Sequence, residues 1–243
     1  MSQAFLAKIL SAGDLSPADQ SLVLRLLDDV RTVAARRDII RDGERPDHVH
    51  VMIEGWACRY KVLRAGPRQI TAFLLPGDFC DTHVTIFNEM DHGIAAISES
   101  RVAYVPRGRM LELTERPGIA RAFWWASLVD EAVLRAWIVN LGRRDAFDRV
   151  GHLICELHAR LHNVGLADDG TFDMPLTQEE LSDALGLTPV HVNRVLKRLR
   201  EEGLMSFRRR QITISDIAAL RAATDFDPIY LHLSKQRVPV PTA

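Results

Sequence analysis

The spacing of apolar residues changes rhythm along the 243-residue chain, and each rhythm predicts a different kind of element. After Ser16-Pro17, a suitable helix start, Leu22, Val23, Leu26, Leu27 and Val30 form a helical stripe. From Arg37 to Pro106 the pattern shortens to strands, broken at Asp42-Gly43, Glu54-Gly55, Ala65-Gly66 and Pro76-Gly77. Many short strands with glycine-bearing turns predict a small rolled or closed β-structure. From Pro117 to Leu141 no breaker follows Gly118, and Phe123, Trp124, Trp125, Leu128, Val129, Val133, Leu134, Trp137, Ile138 and Val139 cannot share one face. A helix apolar almost all round must be covered on more than one side. The β-structure can cover one side, and a second copy of the helix is the economical cover for the other. Trp124, Leu128, Val133, Leu134 and Ile138 are therefore expected in a dimer seam. The competing reading is a central helix of one larger domain.

Gly142 and the following Arg-Arg-Asp read as a hinge, with Asp145 capping the next helix. Phe147, Val150, Ile154, Leu157 and Leu161 give that helix one apolar stripe. "TFDMPL" is a short extended piece. Thr177 and Glu180 have capping-box spacing, and Gly186 suits a left-handed helix end. Leu187 alone separates that glycine from Thr188, the next N-cap, and Pro189 fits the first helical position. Val192, Val195, Leu196 and Leu199 then face inward up to about Gly203. "LMSFRRRQITIS" follows as two short strands around three arginines.

Two short capped helices joined at a tight glycine turn form a helix-turn-helix, whose second helix enters the major groove. Polar residues lie at the front of that helix and cations behind. Asn193 and Arg194 can form paired bonds to base edges. Lys197, Arg198 and Arg200 can serve phosphates, and Arg208, Arg209 and Arg210 form the tip of a basic wing. Charge supports this placement. Net charge is only −1, yet residues 191–210 hold seven Lys/Arg against Glu201 and Glu202, leaving about −6 elsewhere.

No apolar run reaches membrane-spanning length, and the start "MSQAFLAKILSAG" lacks a secretory signal pattern, so a cytoplasmic location is expected. Cys58, Cys80 and Cys155 are odd in number and widely spaced, and no C-x-x-C occurs. Neither a disulfide framework nor a structural zinc site follows, and each Cys reads as a small buried hydrophobe.

"LTQEELSDALGLTPVHVNRVLKRLREEGLM" resembles the winged helix-turn-helix of the Crp/Fnr family of bacterial transcription regulators. The likeness takes in the β-roll with "LLPGDF", the long helix, and the order of sensor, dimer helix and DNA domain. It implies an α+β fold. An N-terminal β-roll of the cyclic-nucleotide-binding kind (a double-stranded β-helix) would span 1–116. A dimerisation helix and hinge would span 117–144, a winged helix-turn-helix 145–233, and a loose tail 234–243. It implies a non-enzymatic homodimer that binds a palindromic site in double-stranded DNA, acts on RNA polymerase, and senses an effector through the β-roll. Thr177, Gln178, Thr188, Val190, His191, Asn193, Arg194, Lys197, Arg198 and Arg208–Arg210 are the expected DNA-binding residues.

The chain also departs from the family. Cyclic-AMP-binding members carry a Gly-Glu pair after "GDF" and an Arg some ten residues on. Here Cys80, Asp81, Thr82 and His83 occupy the first place and Met90 stands near the second, with no Lys or Arg from Thr71 to Ser100. A buried phosphate without a cation is hard to accommodate. Cys80, Thr82, His83 and Met90 would line an effector pocket that is not built for cyclic AMP, and the cofactor stays unknown. The N-terminal cysteine cluster of oxygen-sensing members is absent. Where many relatives place a Glu in the recognition helix, this chain has Val190, which can only meet a thymine methyl or fill space.

Other readings come from other classes. His48, His50 and Glu54 match the H-x-H-x3-E spacing of metal-binding cupin enzymes, with His83 and Asn88 following, but the closing His-to-Asn spacing fails and no metal site is assigned. An effector-independent DNA binder and a heme or small-molecule sensor are the remaining alternatives.

Overall fold

The computed structural model describes residues 3–233; the expectation of a loose tail over 234–243 lies outside the described residues. The chain begins with α1 (Gln3–Ser11) and α2 (Pro17–Leu24), the latter started by Ser16, whose hydroxyl accepts from the Asp19 N–H. A single 3-10 turn, Arg25–Leu27, ends the predicted stripe early. Asp28 and Asp29 then turn the chain, so Val30 belongs to a strand, β1 (Val30–Val33), and not to the helix. The alternation that follows builds β2 (Asp38–Ile40), β3 (His48–Glu54), β4 (Ala57–Val62), β5 (Arg68–Leu74), β6 (Gly93–Ala96) and β7 (Ser100–Pro106). These strands pair antiparallel in two sheets, β1-β7-β3 and β2-β6-β4-β5. Between them lies a core that includes Val49, Val51, Met52, Leu74, Ile94 and Val102. Gly77, in the turn after β5, has φ +95°, and a Cβ there would meet the backbone of Ala4 at 2.8 Å. Glycine thus lets α1 lie directly on the roll.

Two helices close this part of the chain. α3 (Arg107–Thr114) buries only Met110 and Leu113. α4 (Pro117–Arg143) runs through Gly142 and Arg143, so the predicted hinge contracts to Arg144-Asp145. One face of α4 is buried against the roll and α5 through Ile119, Ala122, Phe123, Ala126, Val129, Val133, Trp137 and Asn140.

α5 (Ala146–Asn163) begins at Asp145, whose carboxylate accepts from the Asp148 N–H at 3.0 Å, and its predicted stripe is wholly buried. β8 (Thr171–Asp173), α6 (Gln178–Leu185), α7 (Pro189–Glu201), β9 (Met205–Arg208), β10 (Gln211–Ile214) and α8 (Ile217–Ala223) complete the C-terminal part. Its small sheet has the order β8-β10-β9. No helix among the described residues is long and apolar enough to cross a membrane.

Candidate nucleic-acid interface

The interface is built from its caps outward. Thr177 Oγ1 accepts from the Glu180 N–H at 3.2 Å, while a Glu180 carboxylate oxygen accepts from the Thr177 N–H at 2.7 Å. This capping box fixes the start of α6. Gly186 ends the helix with φ 62°, its N–H bonded to Ser182 O at 2.9 Å. Thr188 then accepts from the His191 N–H at 3.2 Å and starts α7 at once. Arg149 of α5 donates to Leu185 O at 3.1 Å, which ties the turn to the helix beneath it.

Within α7, Val192, Val195, Leu196 and Leu199 are buried. Val190, Asn193, Arg194 and Lys197 fall at helical spacing on the opposite, exposed face. Val190 is 72% exposed, an unfavourable place for a large aliphatic side chain in water. Arg194 and Asn193 make no side-chain hydrogen bond or ion pair among the described residues. Lys197 lies 3.5 Å from Glu201, an exposed pair that competing phosphates can readily replace. Arg198 is more committed: it stacks 4.1 Å over the Phe147 ring and bonds Glu202 at 2.7 Å. Gln178 is exposed at the start of α6, next to the N-cap Thr177, while Thr188 and His191 lie at the start of α7.

The wing tip is a two-residue turn in which Arg209 and Arg210 both take positive φ, 49° and 68°. Such turns join antiparallel strands with the right twist but usually hold Asn-Gly. Arg208, Arg209 and Arg210 are all exposed. Arg209 and Arg210 also border a cleft whose far wall includes Gly55, Trp56 and Ser98 of the roll.

The expected effector residues separate. Cys80 and Met90 are buried in the core of the roll. Thr82 and His83 are half-buried on a single 3-10 turn, Thr82–Thr85, with Thr82 Oγ1 3.4 Å from Ser127 Oγ of α4. Sequence spacing did not single out Arg59 of β4. It donates to Phe79 O at 3.0 Å and Cys80 O at 2.9 Å, and pairs with Asp130 of α4 at 2.9 Å. A small cavity of about 50 Å3 beside it, between β5 and α4, is far below nucleotide size. Strand alternation could not have revealed Arg59, because its partners come from a loop and a helix remote in sequence.

The cupin-like trio does not converge. His48 Nδ1 donates to Asp47 at 2.6 Å, His50 Nδ1 donates to buried Asp81 at 2.6 Å, and Glu54 pairs with Arg101 at 3.1 Å. All three cysteines are free and buried, and burial pushes the Cys58 and Cys155 thiols up to about 12. Thiols held protonated in this way are poor nucleophiles.

Along α4, the expected seam divides. Trp124 and Ile138 are 71% and 70% exposed, and Leu128 and Leu134 are also open to solvent. Val133 is a correction: it is 7% exposed and packs in the same cluster as Phe73, Trp137 and Leu157. A 3.6-residue period places it with Val129 and Trp137, on the face turned to the roll and α5.

Comparison with known proteins agrees with this architecture. Residues 30–116 match the cyclic nucleotide-binding domain, and residues 148–223 match the Crp-like helix-turn-helix domain. The nitrogen fixation regulation protein FixK of Bradyrhizobium diazoefficiens is 31% identical over 172 residues, covering 70% of this chain and 71% of FixK. The transcriptional activatory protein AadR of Rhodopseudomonas palustris is 30% identical over 195 residues, covering 79% and 80%. The solved structure of FixK2 from Bradyrhizobium japonicum superposes with a TM-score of 0.72 at 27% identity, covering 79% of this chain and 95% of that one. The chain thus belongs to the Crp/Fnr family of DNA-binding transcription regulators, which are not enzymes.

Proposed function

We propose that the chain acts in the cytoplasm as a homodimer on an inverted-repeat promoter site, with α7 reading base edges in the major groove. The observation that carries this reading is the outward face of α7. Val190, Asn193, Arg194 and Lys197 stand exposed together there, and Arg194 is held by no partner among the described residues. The planar fork of Arg194 can meet O6 and N7 of a guanine together. Asn193 supplies a second paired contact, and Val190 meets a thymine methyl. The helix starts at Thr177–Gln178 and Thr188–His191 offer N–H groups to phosphates, and Lys197, Arg198 and Arg208–Arg210 add cations.

Two copies would pair through the open face of α4, and half-sites would lie roughly 10–10.5 base pairs apart, centre to centre. The β-roll would sense an effector other than cyclic AMP. No Lys or Arg lies between Thr71 and Ser100, and Arg59 is already held by two carbonyls and Asp130. The names of the transcriptional activatory protein AadR and of the transcriptional activator protein FnrL of Cereibacter sphaeroides favour activation, and RNA polymerase is the partner that the family resemblance implies. The test is a binding series over every base of one half-site. Arg194→Ala should cost about 1–3 kcal/mol and relax choice at one guanine. Equal loss for all sequences, with the guanine preference kept, would make Arg194 a phosphate contact and overturn the readout.

A further inference from the structure

Between the 3-10 turn at Thr82–Thr85 and the start of β6, three donor groups converge that neither the DNA interface nor the roll core uses. His83, Asp91 and His92 each offer a ligand atom, and these atoms lie within 4.8 Å of one another. The Nε2 atoms of His83 and His92 are both buried and without a hydrogen-bond partner. Their ring centroids are 5.3 Å apart, with the ring planes tilted by 40°.

The tautomer of His92 follows from its neighbour. Its Nδ1 lies 2.5 Å from Asp91 Oδ1, and an ionised carboxylate only accepts, so the proton is on Nδ1. In the neutral form of the ring the lone pair then lies on Nε2. A carboxylate holding one imidazole nitrogen while the other is free is how metal-ligating histidines are oriented.

The segment is also held from outside. Met90 is in the core and exchanges backbone bonds with Gly43 and Glu44 at 2.8 and 2.9 Å. Lys61 Nζ donates to Asp91 O at 2.6 Å. Arg107 donates to Thr85 O at 3.1 Å and to Asn88 Oδ1 at 3.1 Å. Both ends of the loop between the two histidines are therefore fixed before any ligand arrives.

We propose that His83 and His92 form a binding site for a divalent first-row transition-metal ion of the zinc class, with Asp91 holding His92 by its other ring nitrogen. Two imidazoles suit zinc, cobalt(II) or nickel(II), with water filling the remaining positions. A nitrogen–metal bond of about 2.0–2.1 Å requires the two half-buried imidazoles to draw closer than they now stand, by side-chain rotation within the fixed segment. Binding would join the 3-10 turn beside Ser127 of α4 to the first residue before β6. The site goes beyond the DNA-binding reading and is tested without DNA.

The full chain, stripped with chelator, is titrated with cobalt(II) alone and followed by its visible d–d absorption, then with zinc to displace it. Wild type should take up one equivalent per chain, with the intense bands of tetrahedral or five-coordinate nitrogen-bearing ligation. His83→Gln and His92→Gln should each lose that equivalent, Asp91→Asn should weaken it about 10- to 100-fold, and His48→Gln should keep it. As a measurement independent of any variant, nitrogen-15 spectra of the wild-type imidazoles should shift at His83 and His92 on adding zinc. No saturable uptake, uptake retained in both histidine variants, or shifts confined to other histidines would overturn the proposal.

Discussion

Arg209 and Arg210 illustrate how one residue can carry a local cost for a reason outside the fold. A side chain other than glycine held at positive φ costs of order 1–3 kcal/mol, and two occur in succession here. Glycine at either position would relieve the strain, although its freer unfolded chain offsets part of the gain. We expect Arg209→Gly with Arg210→Gly to leave stability unchanged or raised by up to about 1 kcal/mol. The same change should weaken binding to all DNA sequences alike and reduce the slope of log affinity against log salt by about one unit per lost phosphate contact. Denaturant midpoints and a salt titration check both halves; a clear loss of stability would show that the arginines serve the fold. His152 sets a second expectation at this scale. Burial, then the charge of Arg144, hold its imidazole down at about 4, and it stacks on Tyr230 at 5.8 Å. The unfolded chain takes up that proton near pH 6.5, so the native state binds fewer protons between about pH 6.5 and 4. Stability from this group is complete above about pH 6.5 and falls as the pH drops to 4, by up to about 3 kcal/mol. His152→Phe should flatten that part of the stability profile in denaturation experiments.

At the scale of the element, α4 separates what spacing can reveal from what it cannot. The apolar content of Pro117–Leu141 correctly predicts a long helix, and one of its two apolar sides is covered by the roll and α5. Assigning each residue to a side needs the register of the helix against the roll, which no local pattern contains. Val133 was therefore expected in the seam, yet it packs with Phe73 and Leu157. The best-read elements carry their own chemistry: the Thr177–Glu180 box, the Gly186 turn, and the Thr188-Pro189 start all stand where spacing puts them. The elements that went unread have weak local signals. α3 buries only two residues, and β1 follows the helical stripe so closely that Val30 extends it in period. Among the site residues, the outward face of α7 was legible because helical period alone defines it, whereas Arg59 and the His83–His92 pair depend on tertiary contact. The two faces of α4 give opposite expectations. Ile138→Asp, on the open face, should leave the fold intact and shift sedimentation from dimer to monomer at micromolar concentration. Val133→Asp places an unpaired charge in the core and should lower stability by several kcal/mol, with loss of the folded state the main effect. If Ile138→Asp sediments like wild type, the proposed pairing through this face is wrong.

The whole molecule is fastened at one buried ionic junction. Asp78, from the Pro-Gly-Asp turn of the roll, pairs with Lys8 of α1 and, at 2.6 Å, with Arg160 of α5. Arg160 also donates to Phe73 O at 2.9 Å and to Glu156 at 3.2 Å, and Glu156 in turn accepts from Trp137 of α4 at 3.0 Å and Tyr230 at 2.8 Å. Roll, long helix and DNA domain thus share one chain of charge-assisted bonds, while Arg68 of β5 and Asp183 of α6 add a more exposed pair at 2.8 Å. Burial alone would raise the Asp78 carboxyl, but Lys8 and Arg160 outweigh it and hold it at about 2. The sign follows from that depression. The stability is present above the unfolded value near 4 and is lost as the pH falls from about 4 to 2, amounting to about 2–3 kcal/mol. Glu156 has the opposite tendency, because burial outweighs its partners and raises its carboxyl. Among the described residues, removing Arg160 leaves Lys8 as the one cation paired with buried Asp78 and removes the cation paired with Glu156. Breaking a buried pair from one side costs about 3–5 kcal/mol. We expect Arg160→Ala to lower stability by an amount of that order and to move acid unfolding to higher pH, since Asp78 then protonates more readily. Because the junction spans the two parts of the chain, the variant should also unfold in two steps, with hydrogen exchange rising first in α5. A variant as stable as wild type, with one transition and an unchanged acid midpoint, would show that apolar packing, and not this ion network, joins the roll to the DNA-binding domain.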